Sequence, residues 1–375
     1  VAIGTSLGIV IGAIPGLTGA MLIALALPLT YHMGGENGGA DAMILLVSMY
    51  VGSISGGLIS ATILRMPGTP ASMMTTLDGY PMAQRGEAGR ALGLAAFSSV
   101  VGGVISLVIF LFAAPSLAQI ALSFTPPEYF ALSIFALSML ASISGKSSLR
   151  NLIAGGIGVL LSTVGIHLTT GIERFTFNND QLSEGLNFVP VLIGLFAIAE
   201  LLNQSHVTER VVERVKASVM KLPSREDLRR VWGTVLRSSG LGTFIGILPA
   251  EGSTVAAIMG YNEAKRWSKN KEEFGTGCPE GIAGPEAANN AATGGAMVPT
   301  LALGIPGSGS TALIMAALVM HGLKPGPYLL QKQPEFIYAL FTAMLIANLA
   351  FLAIGFAGAK LFAQITLIPR TILWP

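Results

Sequence analysis

Two stretches of the chain set hydroxyl side chains immediately after a Pro-Gly pair. Pro67-Gly68 is followed by Thr69, Ser72 and Thr75, and Pro306-Gly307 by Ser308, Ser310 and Thr311. Proline has no N–H and glycine tolerates unusual backbone angles, so helical hydrogen bonding fails at such a pair and a new helix starts beyond it. A helix start carries roughly +0.5 of an elementary charge and unpaired N–H donors. Half-helices starting at Thr69 and Ser308 can therefore hold carboxylate groups without any cationic side chain, and the hydroxyls add neutral donors. Asn289 and Asn290, just upstream of the second pair, can bond a carboxylate or supply carbonyl oxygens. Exposed carbonyls at the ends of the preceding half-helices suit a hard cation such as sodium. Asp78 and Glu286 are the carboxylates that keep a proton open as the alternative.

The elements that position these groups are written twice. Gly56-Gly57, Thr62 and Pro67 correspond to Gly294-Gly295, Thr300 and Pro306, with ten residues from Gly57 to Pro67 and eleven from Gly295 to Pro306. A second pair of interruptions, Pro15-Gly16-Leu17-Thr18-Gly19 and Pro249-Ala250-Glu251-Gly252-Ser253, occupies matching places upstream. Freed backbone groups are tolerated at membrane depth only where protein buries them or where they line a watery cavity. Interrupted segments in corresponding halves mark the binding site of a secondary transporter. The backbone expected to line that site is Pro15, Gly16, Gly19, Pro67, Gly68, Pro249, Gly252, Pro306 and Gly307. Thr69, Ser72, Asn289, Asn290, Ser308, Ser310 and Thr311 are the expected substrate contacts, with Asp78 and Glu286 the coupling-ion candidates.

Composition places the chain in a bilayer. Of 375 residues, 52% are hydrophobic and 11% charged, with a mean hydropathy of +0.67; soluble domains carry about 25% charged residues. A hydrocarbon core needs roughly 20 apolar residues per helical span, and the apolar runs allow about nine or ten spans, some broken. The expected fold is an all-α polytopic membrane protein made of two repeats, inverted with respect to each other, with Pro-Gly-broken or re-entrant helices. The first repeat and the helices after it occupy residues 1–202, a basic linker 203–237, and the second repeat 238–375. The linker's excess of Lys and Arg predicts a cytoplasmic position. Residues 71–77 read as a half-helix ending at Asp78-Gly79-Tyr80-Pro81, followed by a charged loop with Arg85, Glu87 and Arg90. The chain starts at Val1 inside an apolar stretch and stops at Pro375, so both ends read as trimmed and the second repeat as truncated.

Other function classes find little support. A net charge of +2 gives no reason to expect nucleic-acid binding. The single Cys278 excludes an internal disulfide and a thiolate metal cluster. No cofactor is expected, and no phosphate-binding Gly-x-x-x-x-Gly-Lys-[Ser/Thr] loop is present. His167 is a lone imidazole on an apolar segment, a setting more often structural than functional. An intramembrane serine hydrolase would have to pair Ser308 or Ser310 with His321. An organic-anion channel or uniporter is the closer alternative. Glu286 has two readings, an ionisable group at membrane depth or a helix cap at the water interface.

Several separated motifs, in order, also carry a resemblance. Pro15-Gly16-Leu17-Thr18-Gly19, Pro67-Gly68-Thr69-Pro70 with Leu77-Asp78-Gly79-Tyr80-Pro81-Met82, Gly284-Pro285-Glu286-Ala287-Ala288-Asn289-Asn290 and Leu303-Gly304-Ile305-Pro306-Gly307 closely resemble the large, TctA-type membrane subunit of tripartite tricarboxylate transporters. The resemblance implies a multi-pass permease of the bacterial inner membrane rather than an enzyme. It also implies a small membrane subunit, a periplasmic solute-binding protein, and import of tri- or dicarboxylates on an ion gradient of sodium or protons. The sequence departs from that pattern at Pro249-Ala250-Glu251-Gly252, where the family more often has Pro-Gly-x-Gly; the added carboxylate can alter the substrate or ion, or face water.

Overall fold

The computed structural model describes residues 1–33, 38–143, 148–167, 170–199, 202, 219–249 and 252–365. These are almost entirely helical. Helix α1 (Ala2–Ala13) ends at Ile14, and Gly16 turns the chain with φ 95°. Thr18 then opens α2 (Gly19–Thr30), its side chain accepting the Met21 N–H at 3.2 Å. Helix α3 (Gly38–Leu64) runs to the second break. After a 3₁₀ turn at Pro70–Ser72 come α4 (Thr75–Met82), a π turn at Ala83–Glu87 and α5 (Ala88–Leu122). Helices α6 (Pro126–Ile143) and α7 (Ser148–Ser162) follow, then the two-residue strands β1 (Gly165–Ile166) and β2 (Glu173–Arg174), paired antiparallel. The short α8 (Asp180–Ser183) precedes α9 (Phe188–Ile193), which runs into a π turn at Gly194–Ile198.

The second half repeats the order of helix, break and helix. Helix α10 (Arg225–Ile247) stops before Pro249, and α11 (Gly252–Trp267) begins at Gly252, whose φ is 62°. Helix α12 (Pro279–Ala302) leads to the fourth break, α13 (Gly309–Met320) starts beyond it, and α14 (Pro327–Lys332) and α15 (Pro334–Ile365) complete the described chain.

Packing is organised around α12, every residue of which is buried. Helices α5, α10 and α11 surround it, while α3 packs against α1 and α15. The long helix of each half thus lies on the broken helix of the other. Small residues allow the close approaches, as expected of helices packed in a membrane. A Cβ at Gly8 of α1 would lie 2.6 Å from the Met49 carbonyl oxygen of α3, and one at Gly246 of α10 would lie 2.5 Å from the Ala292 carbonyl oxygen of α12. Apolar cores fill the remaining gaps. One gathers Met43, Leu46 and Tyr50 with Leu313 and Met344, and another gathers Ile59, Leu92, Val235 and Phe351. By contrast, α7 buries none of its residues, and its apolar side chains suit a lipid-facing position.

The structure adds detail to three expectations. Among the described residues 39–64, 75–122 with its kink at Gly86, and 334–358 are long and apolar enough to cross a membrane, while the breaks leave α1, α2 and α13 as apolar helices of 12 residues each. Glycine, amide and carboxylate residues lower the hydropathy of α12 despite its full burial. The charged loop expected after Pro81 is reduced to a kink: Pro81 lies inside α4, helical turns continue past it, and at Gly86, with φ 86°, the chain bends out of helical geometry before α5. Finally, residues 225–237 of the expected linker form the first turns of α10, capped by Ser224, whose hydroxyl accepts the Asp227 N–H at 3.0 Å. Residues 203–218 lie outside the described residues.

Candidate functional site

Each of the four breaks starts a helix or turn, and all four starts meet at one cavity of about 340 Å³. Thr18, Gly19 and Ala20 come from the start of α2, Thr69, Pro70 and Ala71 from the 3₁₀ turn, Gly252, Ser253 and Thr254 from the start of α11, and Ser308, Gly309 and Ser310 from the start of α13. Tyr50 and Ile54 of α3 and Leu195 and Phe196 of the π turn complete the wall. Among the described residues the lining contains seven hydroxyl side chains and no charged one. A pocket with a few convergent polar groups on an otherwise apolar wall is the usual form of a small-molecule site.

Local chemistry fixes the starts. The Thr311 N–H donates to Ser308 Oγ at 3.2 Å, and the Ser308 N–H donates to Thr311 Oγ1 at 2.9 Å, a reciprocal cap. Tyr50 Oη lies 3.4 Å from Ser308 Oγ and so links the two halves across the cavity. In the first half, Ser72 Oγ donates to the Thr69 carbonyl at 2.9 Å and accepts the Thr69 N–H at 3.4 Å. The Thr69 hydroxyl is 3% exposed and has no partner among the described residues. Gly19 is required where α2 begins, because a Cβ there would collide with Ser53 Oγ. At Gly309 a Cβ would lie 2.7 Å from the ring of Phe196.

The expected site residues divide by what they touch. Thr69, Ser308 and Ser310 line the cavity. Ser72 and Thr311 stand one step behind, closing the turns that present them. Asn289 is fully buried behind the first-half turn, with Nδ2 donating to the Ala71 carbonyl at 3.2 Å and to Glu286 Oε2 at 3.4 Å. Glu286 also accepts the Thr75 hydroxyl and is fully buried, so it is not a cap at a water interface. Asn290 faces another way. Its Nδ2 donates to the Ser99 carbonyl at 2.7 Å and to Asn348 Oδ1 at 2.8 Å, joining α12 to α5 and α15. Among the break residues, Gly19 and Gly252 line the cavity, while Gly68 and Gly307 pack against neighbouring backbone; Pro15, Gly16, Pro67, Pro249 and Pro306 are outside the lining.

Asp78 is placed elsewhere. Its Oδ1 accepts the N–H groups of Gly275, Gly277 and Cys278 at 2.9, 2.9 and 2.8 Å, and its Oδ2 accepts the Tyr261 hydroxyl at 3.0 Å. The hydrolase pairing is overturned. Helix α13 separates Ser308 and Ser310 from His321, which follows its twelfth residue, by roughly 16–20 Å at about 1.5 Å per residue. Glu251, the departure noted in the sequence, lies outside the described residues. Thr18 and Ser253 were legible as parts of the breaks, although not as contacts. Tyr50, Leu195 and Phe196 carried no signal, since nothing local distinguishes them from other apolar-helix residues.

The described residues form an all-α membrane protein in which broken helices converge on one hydroxyl-lined cavity. A family model described as "Tripartite tricarboxylate transporter TctA family" matches residues 1–375, and the chain belongs to that family. It is 38% identical over 374 residues to "Uncharacterized 52.8 kDa protein in TAR-I ttuC' 3'region" of Agrobacterium vitis, covering 100% of this chain and 74% of that one. It is also 38% identical over 134 residues to "Uncharacterized protein in TAR-II ttuC' 3'region" of the same organism, covering 36% of this chain and 55% of that one. No solved structure matches the chain. Family membership makes the protein the permease subunit of a tricarboxylate transporter.

Proposed function

We propose that the cavity is the carboxylate site of a secondary active importer in the bacterial inner membrane. The tri- or dicarboxylate is delivered by a periplasmic solute-binding protein, and a small membrane subunit completes the permease. The observation that carries this reading is the convergence of four break-derived starts, two from each half, on one hydroxyl-lined cavity with no charged side chain among the described residues. Amide donors and partial positive charge at helix starts then do the work of cationic residues.

The two halves act as inverted repeats, a reading supported by the shared order of elements and the reciprocal crossing of α5 and α15. Alternating access follows from an elevator-like movement of the broken helices. Crosslinks holding Pro67 and Pro306 at one membrane depth in both states would sink that movement. Glu286, with Thr75 and Asn289 behind the cavity wall, is the group that senses the coupling ion, sodium or a proton. Asp78 serves the scaffold, because four donors already occupy its oxygens.

The test is uptake of labelled carboxylates by the full-length subunit with its small partner in proteoliposomes, with and without binding protein and sodium gradient. Uptake requiring both establishes the tripartite carrier and its sodium coupling. Uptake without binding protein, running only down the solute gradient, replaces the carrier with a channel or uniporter.

A further inference from the structure

We infer that the coupling ion is sodium and that Glu286, the Ala71 carbonyl and the side-chain oxygens of Asn289 and Thr75 hold it directly, so that the ion ties α12 to the wall of the cavity. The inference rests on the reading of the protein as an ion-coupled carboxylate importer.

Four carboxylates are buried among the described residues, Asp78, Asp227, Glu280 and Glu286. Asp78 accepts three backbone N–H groups and a phenol, Asp227 pairs with Arg90 at 2.5 Å, and Glu280 pairs with Arg230 at 2.7 Å. Glu286 is the most poorly compensated of the four. It is fully buried, yet it accepts only the Thr75 hydroxyl and, at 3.4 Å, the Asn289 amide. No ion pair among the described residues includes it. A buried charge without a partner is strongly disfavoured, so the site calls for one unit of positive charge.

The groups beside Glu286 suit a metal cation. Asn289 is fully buried; its Nδ2 donates to the Ala71 carbonyl at 3.2 Å and to Glu286 Oε2 at 3.4 Å, while its Oδ1 has no partner among the described residues. The amide hydrogens therefore bridge a backbone carbonyl and a carboxylate, and a cation can replace them. Nothing holds Oδ1, so the amide is free to make a half-turn that puts Oδ1 in the place of Nδ2. The Ala71 carbonyl, Asn289 Oδ1 and Glu286 Oε2 then adjoin one another, with Thr75 Oγ1 on the other carboxylate oxygen. Such oxygens are ligands of hard cations, and one negative charge among neutral groups matches a monovalent ion. Acceptors brought together in this way repel unless a cation lies among them, so the half-turn and the ion go together. A proton on Glu286 supplies only one donor and cannot serve them all.

Ala71 also lines the cavity, inside the Pro70–Ser72 turn that follows Thr69. An ion on its carbonyl fixes that part of the wall against α12. Sodium and carboxylate then raise each other's affinity by the same factor.

The experiment is thermal unfolding of the purified full-length subunit with its small partner, titrated with sodium, potassium or choline chloride at constant ionic strength, beside equilibrium binding of labelled succinate in the same salts. Sodium at ten times its dissociation constant should raise the folded-to-unfolded ratio about 11-fold. Potassium and choline should not, and succinate should bind more tightly in sodium. Glu286→Gln, similar in shape and uncharged, should abolish the sodium response, and Thr75→Val should weaken sodium binding about tenfold. A full sodium response in either variant overturns the inference, and Thr75→Val decides if the Gln variant does not fold. Glu251→Gln should leave the response intact; its loss there would assign the ion to Glu251 and overturn the inference. Stability that follows pH and not sodium makes the ion a proton and also overturns it. Succinate bound equally with and without sodium overturns the coupling through Ala71 and leaves the carboxylate site standing. A sodium response without succinate binding in any salt upholds the ion site and overturns the carboxylate reading instead.

Discussion

The cavity and the Asp78 pocket solve one chemical problem in two places. At Asp78 a fully buried carboxylate is held by three backbone N–H groups just ahead of α12 and by the Tyr261 hydroxyl. None of these donors is cationic; Arg85, close by, donates to the Gly277 carbonyl at 3.0 Å instead. The cavity presents the same kinds of group, backbone at helix starts and neutral hydroxyls. What differs is commitment. Around Asp78 every oxygen has its donor and the fit is tight, since a Cβ at Gly281 would collide with the carboxylate. In the cavity wall the Thr69 hydroxyl is uncommitted. The first is a permanent clamp between the halves; the second, on the function proposed above, receives a carboxylate that arrives and leaves.

The largest effect should come from breaking the clamp. Asp78→Ala leaves the amides of Gly277 and Cys278 and the Tyr261 phenol buried without a partner, while the exposed Gly275 amide can turn to water, and each buried unsatisfied group costs about 1–3 kcal/mol. The expected loss is therefore at least about 3 kcal/mol, read as a steep fall in thermal stability and in yield of folded protein in detergent. Wild-type stability in this variant would show that Asp78 is not structural and would return it to the coupling-ion candidates. Gly281→Ala should destabilise less, by about 1–3 kcal/mol for overpacking, and should be partly relieved when combined with Asp78→Ala if the collision is its cause.

The cavity should respond in the opposite way. Thr69→Val keeps the side chain's shape and removes a hydroxyl that no protein group uses, so stability should change little. Loss of one neutral hydrogen bond to a ligand, about 1 kcal/mol, should raise the dissociation constant about fivefold. A variant that loses stability but keeps its affinity would make Thr69 part of the scaffold and erase the contrast with Asp78.

Which of these features the sequence announced follows from their range. The breaks were legible because proline and glycine act locally, and all four fall where Pro15, Pro67, Pro249 and Pro306 place them. The all-α class was legible because burial of apolar residues sets composition directly. Convergence on one cavity was not written in any one stretch: Tyr50 reaches Ser308 from 258 residues away. Asn289 and Asn290 are adjacent in sequence, but successive residues on a helix point about 100° apart. One therefore supports the cavity wall and the other ties α12 to α5 and α15. Asp78 looked like a coupling group because its partners, the loop at 275–278 and Tyr261, lie far along the chain. The helical turns through Arg85 were hidden by Pro81 and Gly86: Pro81 is taken into α4, and Gly86 makes a kink between α4 and α5 where a longer loop was expected.

A third carboxylate setting sharpens the comparison from its weak end. Arg90 makes ion pairs of similar length to two acids, Asp227 at 2.5 Å and Glu87 at 2.6 Å. Asp227 is 3% exposed and is also held by the Ser224 N–H and hydroxyl, whereas Glu87 is 42% exposed. Water competes for Glu87, and the pair must immobilise two long side chains, so Glu87→Gln should cost no more than about 0.5 kcal/mol. Adding salt should not widen that small difference, since screening acts first on exposed charge. Thermal unfolding of this variant beside Asp78→Ala compares a cation-paired acid at the surface with an amide-held acid in the interior. A loss at Glu87 as large as that at Asp78 would mean that cationic pairing matters more to this protein than amide donation does. It would remove the reason to read a cavity with no cation among its described lining residues as an anion site.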